Sequence, residues 1–252
     1  MQFRVLGAFE LIRDGVPQVV TRSLARGALL ALVLYRNQPV PQERLIDLLW
    51  GATAEADDRL HSLRSCMWYL RQVLEPNRLV TDDAGYRLRI EARDQVDVDR
   101  FRDLHRQGRA ALGRGDAISA ARLLDEAMAE WATDQLPDLL PATPAMTSLV
   151  TGLIQERRDA RNALVQARLD LGQHRELLPT LRTYVTAEPD NEQSWADLML
   201  ALYRCGLRTD ALQVFDEAQT ALDAYIGVEP GPALRTLKRR IQADDPALRP
   251  PM

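Results

Sequence analysis

The chain has 252 residues and a formal net charge of −4, with 46% hydrophobic and 27% charged side chains. Such values are typical of a globular protein of one or two domains, each able to bury its own core. The longest apolar run, Ala28 to Tyr35, is much shorter than the roughly 20 residues that span a bilayer, and the N-terminus does not resemble a signal peptide. The composition argues against a membrane protein and against a protein that is basic throughout.

The charge differs only slightly between the two parts of the chain. Residues 1–95 carry a net charge of +1 and residues 96–252 a net charge of −5. Any attraction to a nucleic acid is therefore local rather than global.

Cys66 and Cys205 are the only cysteines, and their wide separation indicates reduced thiols in the cytoplasm rather than a disulfide.

The N-terminal part of the chain predicts a small sheet followed by two helices. Short β-like stretches, separated by the turn signal Asp14-Gly15, predict a hairpin or a small sheet. The nearly apolar segment from Leu24 to Arg36 predicts a buried helix, which the two prolines after it end. The segment from Gln42 to Trp50 predicts a short amphipathic helix that ends at Gly51.

The segment from Arg59 to Leu74 carries the clearest pattern of the chain. Its apolar residues recur at alternating spacings of three and four, as on one buried helix face, and they are Leu60, Leu63, Met67, Leu70 and Leu74. The opposite face is polar, with Arg71 beside it, and it holds His61, Arg64, Ser65, Trp68 and Gln72. Such a helix could read the major groove of DNA, and the same face could equally be solvated surface.

A β-hairpin is predicted after this helix, from Arg78 to Ile90, with its turn at residues 82–85. The order of a sheet, three helices and a hairpin is that of a winged helix-turn-helix, in which the last helix before the wing is the recognition helix. A small α+β domain without a nucleic-acid role is the other interpretation of this order.

From Val96 onward the pattern is helical, and three glycine-marked units repeat. Gly115, Gly172 and Gly206 each precede apolar residues at helical spacing, and the last two are 34 residues apart, the tetratricopeptide period. Units of this kind bury their apolar faces by stacking. A plain helical bundle is the alternative. The aromatic residues of this part are expected in the core of the repeats rather than in a partner-binding groove, and they are Trp131, Trp195, Tyr203 and Phe215.

The predicted fold class is therefore mainly α with a small β component. A winged helix-turn-helix at residues 1–95 is followed by a tetratricopeptide-like helical repeat domain at residues 96–252.

Segments spread over nearly the whole chain resemble the short Streptomyces antibiotic regulatory proteins. Those similar to the family's OmpR-type winged-helix DNA-binding domain are Phe3–Leu11 (FRVLGAFEL), Glu43–Gly51 (ERLIDLLWG), Ser62–Pro76 (SLRSCMWYLRQVLEP) and Leu79–Ile90 (LVTDDAGYRLRI). Those similar to its bacterial transcriptional activation domain are Val96–Leu104, Leu123–Trp131, Leu198–Leu212 and Gly227–Leu248. The resemblance implies a cytoplasmic activator that binds direct repeats in double-stranded DNA at the promoters of a biosynthetic gene cluster. It also implies recruitment of RNA polymerase holoenzyme, through its sigma factor or another subunit, and a possible homodimer on tandem sites.

With this resemblance, the polar face of the third helix becomes the expected DNA-contact surface. Arg64 is the first candidate for base reading, because a guanidinium can donate two hydrogen bonds to guanine O6 and N7. Ser65 and His61 could contact bases or phosphates, and Arg71 is expected at a phosphate. The remaining candidate contacts on this helix and on the wing are Arg59, Trp68, Tyr69, Gln72 and Arg87.

Trp68 is unusual on a polar helix face and has two possible locations. It either packs against thymine methyl groups or sugars in the groove, or folds back over Leu49 and Trp50 as part of the core. Groove contact is the favoured prediction.

Two features depart from the family pattern. Tyr69 stands where the family usually has a basic residue, and Asp82 and Asp83 occupy a wing that commonly carries Arg or Pro. Carboxylates at the wing tip repel phosphates, so we expect weaker DNA affinity than for a fully basic relative. The acidic wing also supports an alternative function, a tetratricopeptide-like adaptor whose winged helix mediates protein contacts.

No enzyme motif is recognisable in the chain. The phosphate-binding and metal-binding patterns G-x-x-x-x-G-K-[ST], G-x-G-x-x-G and H-E-x-x-H are absent. His61, His105 and His174 are far apart in sequence, and the cysteines lack metal-binding spacing. We therefore expect no catalytic activity, no cofactor and no metal ion.

Overall fold

The computed structural model describes residues 1–7, 9–51, 56–133 and 140–249, without the side chains of residues 56 and 57. The fold is mainly α with a small β component, as predicted. The strands are β1 (Gln2–Arg4), β2 (Glu10–Arg13), β3 (Val16–Gln18), β4 (Leu79–Asp82), β5 (Gly85–Leu88) and β6 (Gln95–Val96). The helices are α1 (Ser23–Leu34), α2 (Gln42–Trp50), α3 (Ala56–Val73), α4 (Asp97–Gly113), α5 (Ala117–Ala129), α6 (Pro144–Asp170), α7 (His174–Ala187), α8 (Glu192–Arg204), α9 (Arg208–Ile226) and α10 (Pro232–Gln242).

The chain forms two compact units. The first comprises residues 1–104 and 126–158, and the second comprises residues 105–125 and 159–252. Helices α4, α5 and α6 each contribute residues to both units. The domain boundary predicted between residues 95 and 96 rests on the sequence pattern and not on packing. It stays a prediction about which part of the chain carries which function. None of the described helices has the length and apolarity that a membrane crossing requires.

The N-terminal strands form the sheet of the first unit in the order β3-β2-β1-β6. Phe3 of β1 lies opposite Leu11 of the antiparallel β2 and opposite Val96 of the parallel β6, and all three side chains are buried. The sequence pattern did not predict β6, because two residues are too few to show an alternation of apolar and polar positions.

Asp97 fastens the beginning of α4 to the strand β1. Its buried carboxylate accepts hydrogen bonds from the backbone N–H groups of Val5 at 2.6 Å and Leu6 at 2.8 Å. Burial raises the pKa of Asp97 to about 6, although these backbone hydrogen bonds favour the ionised form. The carboxylate therefore provides partners for two N–H groups where the chain leaves the sheet.

Helices α1, α2 and α3 pack against one another, and the hairpin β4–β5 packs against α1 and α3. The apolar run at residues 28–33 of α1 is almost completely inaccessible to solvent. The bounds of α2 are those predicted, and Gly51, at φ +84°, donates its N–H to the carbonyl oxygen of Asp47. Helix α3 begins three residues before the predicted start. This is the winged helix-turn-helix that the order of elements indicated.

The wing hairpin is attached to the segment between α1 and α2. Val40 and Tyr86 exchange two backbone hydrogen bonds of 2.7 and 2.9 Å. Beside them, a Cβ atom on Gly85 would lie 2.1 Å from the carbonyl oxygen of Val40, and Gly85 has φ +127°. Both the close approach and the backbone conformation require glycine at this position.

Three tight turns between consecutive helices share one hydrogen-bond pattern. Gly115, Gly172 and Gly206 have φ of +76°, +78° and +80°. In each turn the residue after the glycine donates its N–H to the carbonyl oxygen five positions earlier, as in a Schellman motif, and the pairs are Asp116–Ala111, Gln173–Arg168 and Leu207–Leu202, all at 3.0 Å. The predicted helical repeat is confirmed by these equivalent turns.

Apolar residues of α6 to α10 form the core of the second unit. Trp195, Tyr203 and Phe215 are buried in it. Trp131 is buried in the first unit, with its ring edge-on to Phe101 at 5.6 Å between centroids. The expectation that these aromatic residues are buried in the core of the repeats is confirmed for Trp195, Tyr203 and Phe215, whereas Trp131 is buried in the first unit.

Candidate nucleic-acid interface

Helix α3 presents one buried apolar face and one exposed polar face. Leu63, Met67 and Leu70 are 0% exposed, and Leu74 just after the helix is also buried. The predicted polar residues are exposed on the other side, and they are His61, Arg64, Ser65, Trp68, Arg71 and Gln72. The amphipathic helix is confirmed, and most of the candidate contacts lie together on its open side.

Arg64 lies in the middle of this exposed face. Within the described part of the chain it forms no hydrogen bond or ion pair. No acidic residue occurs between Arg59 and Leu74, so the guanidinium has no carboxylate partner on its own face. Its N–H donors are therefore available for an external acceptor, as a bidentate contact with guanine requires.

Trp68 is 61% exposed. The alternative that it folds back over Leu49 and Trp50 as core is therefore wrong. Because α3 is packed on its other face, this large aromatic side chain stays exposed to water and is available for contact with a partner.

Tyr69, the next residue, is held within the protein. Its hydroxyl donates to the carbonyl oxygen of Val19 at 3.2 Å and accepts from the N–H of Thr21 at 3.4 Å. The guanidinium carbon of Arg22 lies 4.8 Å from the centroid of the tyrosine ring. Tyr69 thus connects α3 to the segment between β3 and α1, where a lysine or arginine could not make the same contacts.

Arg71 connects α3 to the first strand of the wing. Its Nε donates to the carbonyl oxygen of Leu79 at 3.3 Å, and its Nη2 donates to the hydroxyl of Thr81 at 2.6 Å. These contacts orient the exposed guanidinium at the junction of α3 and β4. Its remaining N–H groups suit the phosphate contact that the sequence predicts.

Arg78, which the sequence did not single out, connects the segment after α3 to the segment after the wing. It is 2% exposed and lies 2.6 Å from the carboxylates of Glu75 and Asp94. The hydrogen bond from Arg78 lowers the pKa of Glu75 below its usual value. Its position between helix and hairpin, near several acidic residues, was the only signal in the sequence for this role.

An internal ion pair is present at the tip of the wing. The carboxylate of Asp82 accepts hydrogen bonds from Nη2 of Arg87 at 2.7 Å and from the N–H of Ala84 at 3.0 Å. Asp83, the residue after Asp82 in the turn, is exposed, and so is Arg89 at the other end of the hairpin. The charge of Asp82 is therefore balanced within the wing, and Arg87 must exchange Asp82 for a phosphate if it contacts DNA.

Two further residues of α3 are held by their surroundings. The guanidinium of Arg59 lies 5.8 Å from the centroid of the Trp50 ring. Burial raises the pKa of the Cys66 thiol to about 11, although the charge of Arg22 acts in the opposite direction. Cys66 is thus a protonated core residue.

Among the described residues, no group of three His, Cys, Asp or Glu side chains could hold a metal ion.

The fold and this surface define a winged helix-turn-helix protein with a tetratricopeptide-like domain. The family described as bacterial transcriptional activator domain matches residues 96–242. The chain belongs to the Streptomyces antibiotic regulatory protein family, as the sequence resemblance implied.

Relatives match along almost the entire chain. The regulatory protein AfsR of Streptomyces coelicolor is 34% identical over 98% of this chain, which spans only 25% of AfsR. The transcriptional regulatory protein MoaR1 of Mycobacterium tuberculosis is 30% identical over 96% of this chain and 79% of its own length. The structure of Mycobacterium tuberculosis EmbR in complex with a low-affinity phosphopeptide has a TM-score of 0.87 and 28% identity, covering 97% of this chain and 65% of EmbR.

Proposed function

We propose that the protein is a sequence-specific DNA-binding transcriptional activator that places α3 in the major groove. The exposed polar face of α3 carries this proposal, because Leu63, Met67 and Leu70 on the opposite face are fully buried and hold the helix in a fixed orientation. AfsR, MoaR1 and EmbR are named as regulatory proteins, and this supports a role in transcription.

The proposal gives the residues of α3 and the wing different roles. Arg64 reads a guanine, while Trp68 contacts thymine methyl groups or sugars. Arg71 contacts a phosphate and so fixes the register of the helix on the duplex. Tyr69 acts indirectly by holding the segment before α1. Further base or phosphate contacts come from Arg59, His61, Ser65, Gln72 and Arg87.

The second part of the proposal concerns residues 96–252. Their net charge of −5 makes them a poor DNA surface and a suitable protein surface. We assign to them the recruitment of RNA polymerase holoenzyme, through its sigma factor or another subunit, in the cytoplasm. Neighbouring copies, or a homodimer, bind direct repeats. Binding at two sites raises the affinity for DNA and so compensates for the acidic residues of the wing.

The test is a mobility-shift titration with promoter fragments of the protein's own gene cluster and with scrambled fragments. We expect the native protein to prefer the promoter fragments. Arg64→Ala loses about 1–3 kcal/mol of that preference, since the bidentate contact is removed. The matched control is Arg109→Ala, which removes an exposed arginine from α4 and leaves the preference unchanged.

Absence of a sequence-selective shift for the native protein contradicts the DNA-binding proposal and favours the adaptor. An unchanged preference in Arg64→Ala rejects Arg64 as a base-reading residue. Transcription from the same promoter with purified polymerase then tests recruitment separately. Selective binding without any increase in transcript contradicts the activator role.

A further inference from the structure

A groove between α9 and α10 has no part in the proposed DNA contact. It has a volume of about 550 Å³ and is open to solvent. Its apolar lining comes from Phe215, Pro230 and Pro232, and its cationic lining from Arg235, Lys238 and Arg239. An apolar surface bordered by positive charge suits an anionic ligand that also carries an apolar group.

Helix α10 is a basic element in an acidic part of the chain. It carries four cationic side chains and no acidic one, whereas residues 96–252 have a net charge of −5. Leu234 and Ile241 are buried and fix the orientation of the helix. Arg235, Lys238 and Arg239 line one wall of the groove, where they attract a local negative charge, whereas Arg240 is paired with Asp245.

Two arginines of the groove have donors available for an outside carboxylate. Arg235 and Arg239 are four positions apart and so lie on the same side of α10. Arg235 is 3.4 Å from the carboxylate of Glu229, and both side chains are largely exposed. Arg239 donates to the hydroxyl of Thr236 at 3.0 Å and forms no ion pair within the described residues. Glu229 shows where a carboxylate can meet Arg235.

Lys238 has a different role from the two arginines. Its Nζ lies 4.1 Å from the centroid of the Phe215 ring and 3.1 Å from the carboxylate of Asp216. The lysine is therefore committed to contacts within the protein and shapes the wall of the groove. The arginines are the residues that remain for a ligand.

An exposed apolar segment leads directly into the groove. Among the described residues, eight large hydrophobic side chains are exposed. Three of them lie together in sequence, Tyr225 and Ile226 at the end of α9 and Val228 just after it. Glu229 and Pro230 of the groove lining follow at once in the sequence. A concentration of exposed apolar side chains next to a polar groove is typical of a protein-interaction site.

We infer that the groove between α9 and α10 binds a short acidic segment of a partner protein. Carboxylates of the segment pair with Arg235 and Arg239, and an apolar side chain lies against Phe215 and Pro232. A nucleic acid fits less well, because its charge continues beyond the groove along a part of the chain whose net charge is −5. A short peptide, in contrast, can carry its negative charges only where they meet the two arginines. The inference is independent of DNA binding by α3 and can fail without it.

The test is fluorescence anisotropy with the full chain and labelled peptides of about ten residues. The first probe alternates Asp and Glu with Leu and Phe, the second replaces the apolar residues by Ser, and the third replaces the acidic residues by Lys. An oligothymidylate of equal charge is the fourth probe. We expect saturable binding of the first probe and at least about tenfold weaker binding of the others.

Arg235→Glu/Arg239→Glu is expected to weaken the binding of the first probe by about tenfold or more. The matched control, Arg114→Glu/Arg175→Glu, makes the same change of charge at exposed arginines elsewhere in the second unit and keeps the affinity. Glu229→Gln removes the internal competitor of Arg235 and tightens binding. If circular dichroism shows that the glutamate variant is unfolded, Arg235→Gln/Arg239→Gln takes its place.

Equal affinity in the groove variant and the native protein overturns the inference, as does an equal loss in the control. Binding of oligothymidylate that exceeds peptide binding and depends on the same arginines also overturns it, in favour of a nucleic-acid site. No binding of the first probe rejects the site.

Discussion

In the wing of this protein, the guanidinium of Arg87 lies 2.7 Å from the carboxylate of Asp82. Arg87 is opposite Val80 in the hairpin, so the pair crosses the two strands diagonally. Both side chains are 36% exposed, and a pair of this kind contributes at most about 1 kcal/mol. A DNA phosphate can therefore replace Asp82 at low cost. The wing is less repulsive than two adjacent carboxylates suggest, and in the proposed complex Asp82 would compete with a phosphate for Arg87.

Asp82→Asn is expected to strengthen DNA binding several-fold, because it removes this competitor and one negative charge. The plot of log affinity against log salt concentration becomes steeper by at most about 0.9, the value for one phosphate contact that the native protein lacks. A salt titration of DNA binding measures both effects. The control is Asp83→Asn, which removes the neighbouring charge but leaves the Arg87 pair intact. Equal slopes and equal affinities for the two variants would show that Asp82 does not keep Arg87 from a phosphate.

The adjacent residues Trp68 and Tyr69 are expected to respond in opposite ways to substitution. Trp68→Ala weakens DNA binding with little change in the free energy of unfolding, since the ring is largely exposed. Tyr69→Phe loses the two hydroxyl hydrogen bonds to the segment before α1 and costs about 1 kcal/mol of stability. Its DNA affinity stays near that of the native protein. Chemical unfolding and DNA titration of both variants provide the comparison, and a large stability loss in Trp68→Ala would contradict it.

Gly85→Ala is expected to destabilise the wing by about 3 kcal/mol, because the added Cβ would overlap the carbonyl oxygen of Val40 and the backbone has a left-handed φ. Gly113→Ala is the control, since a Cβ there meets nothing within 4 Å. This control is neutral or gains up to about 1 kcal/mol of helix propensity. Hydrogen exchange of the Val40 and Tyr86 amides measures the local effect. Equal protection in both glycine variants would reject the close contact.

The sequence predicted those features of the fold that depend on consecutive residues. The apolar spacing of α3 and the end of α2 at Gly51 are encoded within one or two helical turns. The turns at Gly172 and Gly206 were found for the same reason, because a helix, a left-handed glycine and a second helix recur at a fixed period. The apolar spacing of α3 determines which of its faces is exposed, so most of the candidate DNA surface followed from periodicity.

Contacts between distant residues were not predicted. Arg78 is buried between Glu75 and Asp94, yet in the sequence it resembles every exposed arginine of a chain that contains 32 Lys plus Arg. The pair between Arg87 and Asp82 depends on the register of the hairpin, which composition does not determine. The cations of α10 were visible in the sequence, but only packing against α9 makes them the wall of a groove.

Asp197 in α8 is expected to make stability depend on pH. Its side chain is buried and accepts a hydrogen bond from Nε2 of Gln193 at 2.8 Å. Burial raises its pKa to about 7, although this hydrogen bond and the charge of Arg161 lower it. Between the unfolded value of 3.8 and the folded value of about 7, the folded protein binds more protons than the unfolded chain. Stability therefore falls as the pH rises through this range, and the loss is complete above it.

Asp197→Asn removes the charge and keeps an acceptor for Gln193. We expect this variant to exceed the native protein in stability by about 2–4 kcal/mol near pH 8, and the difference to vanish near about pH 4. Chemical unfolding across this range, followed by far-ultraviolet circular dichroism, measures the difference. Asp223→Asn, at an exposed position of α9, serves as the control and stays within about 0.5 kcal/mol of the native protein. A gain in Asp197→Asn that is the same at every pH would show that ionisation of this carboxyl does not oppose folding.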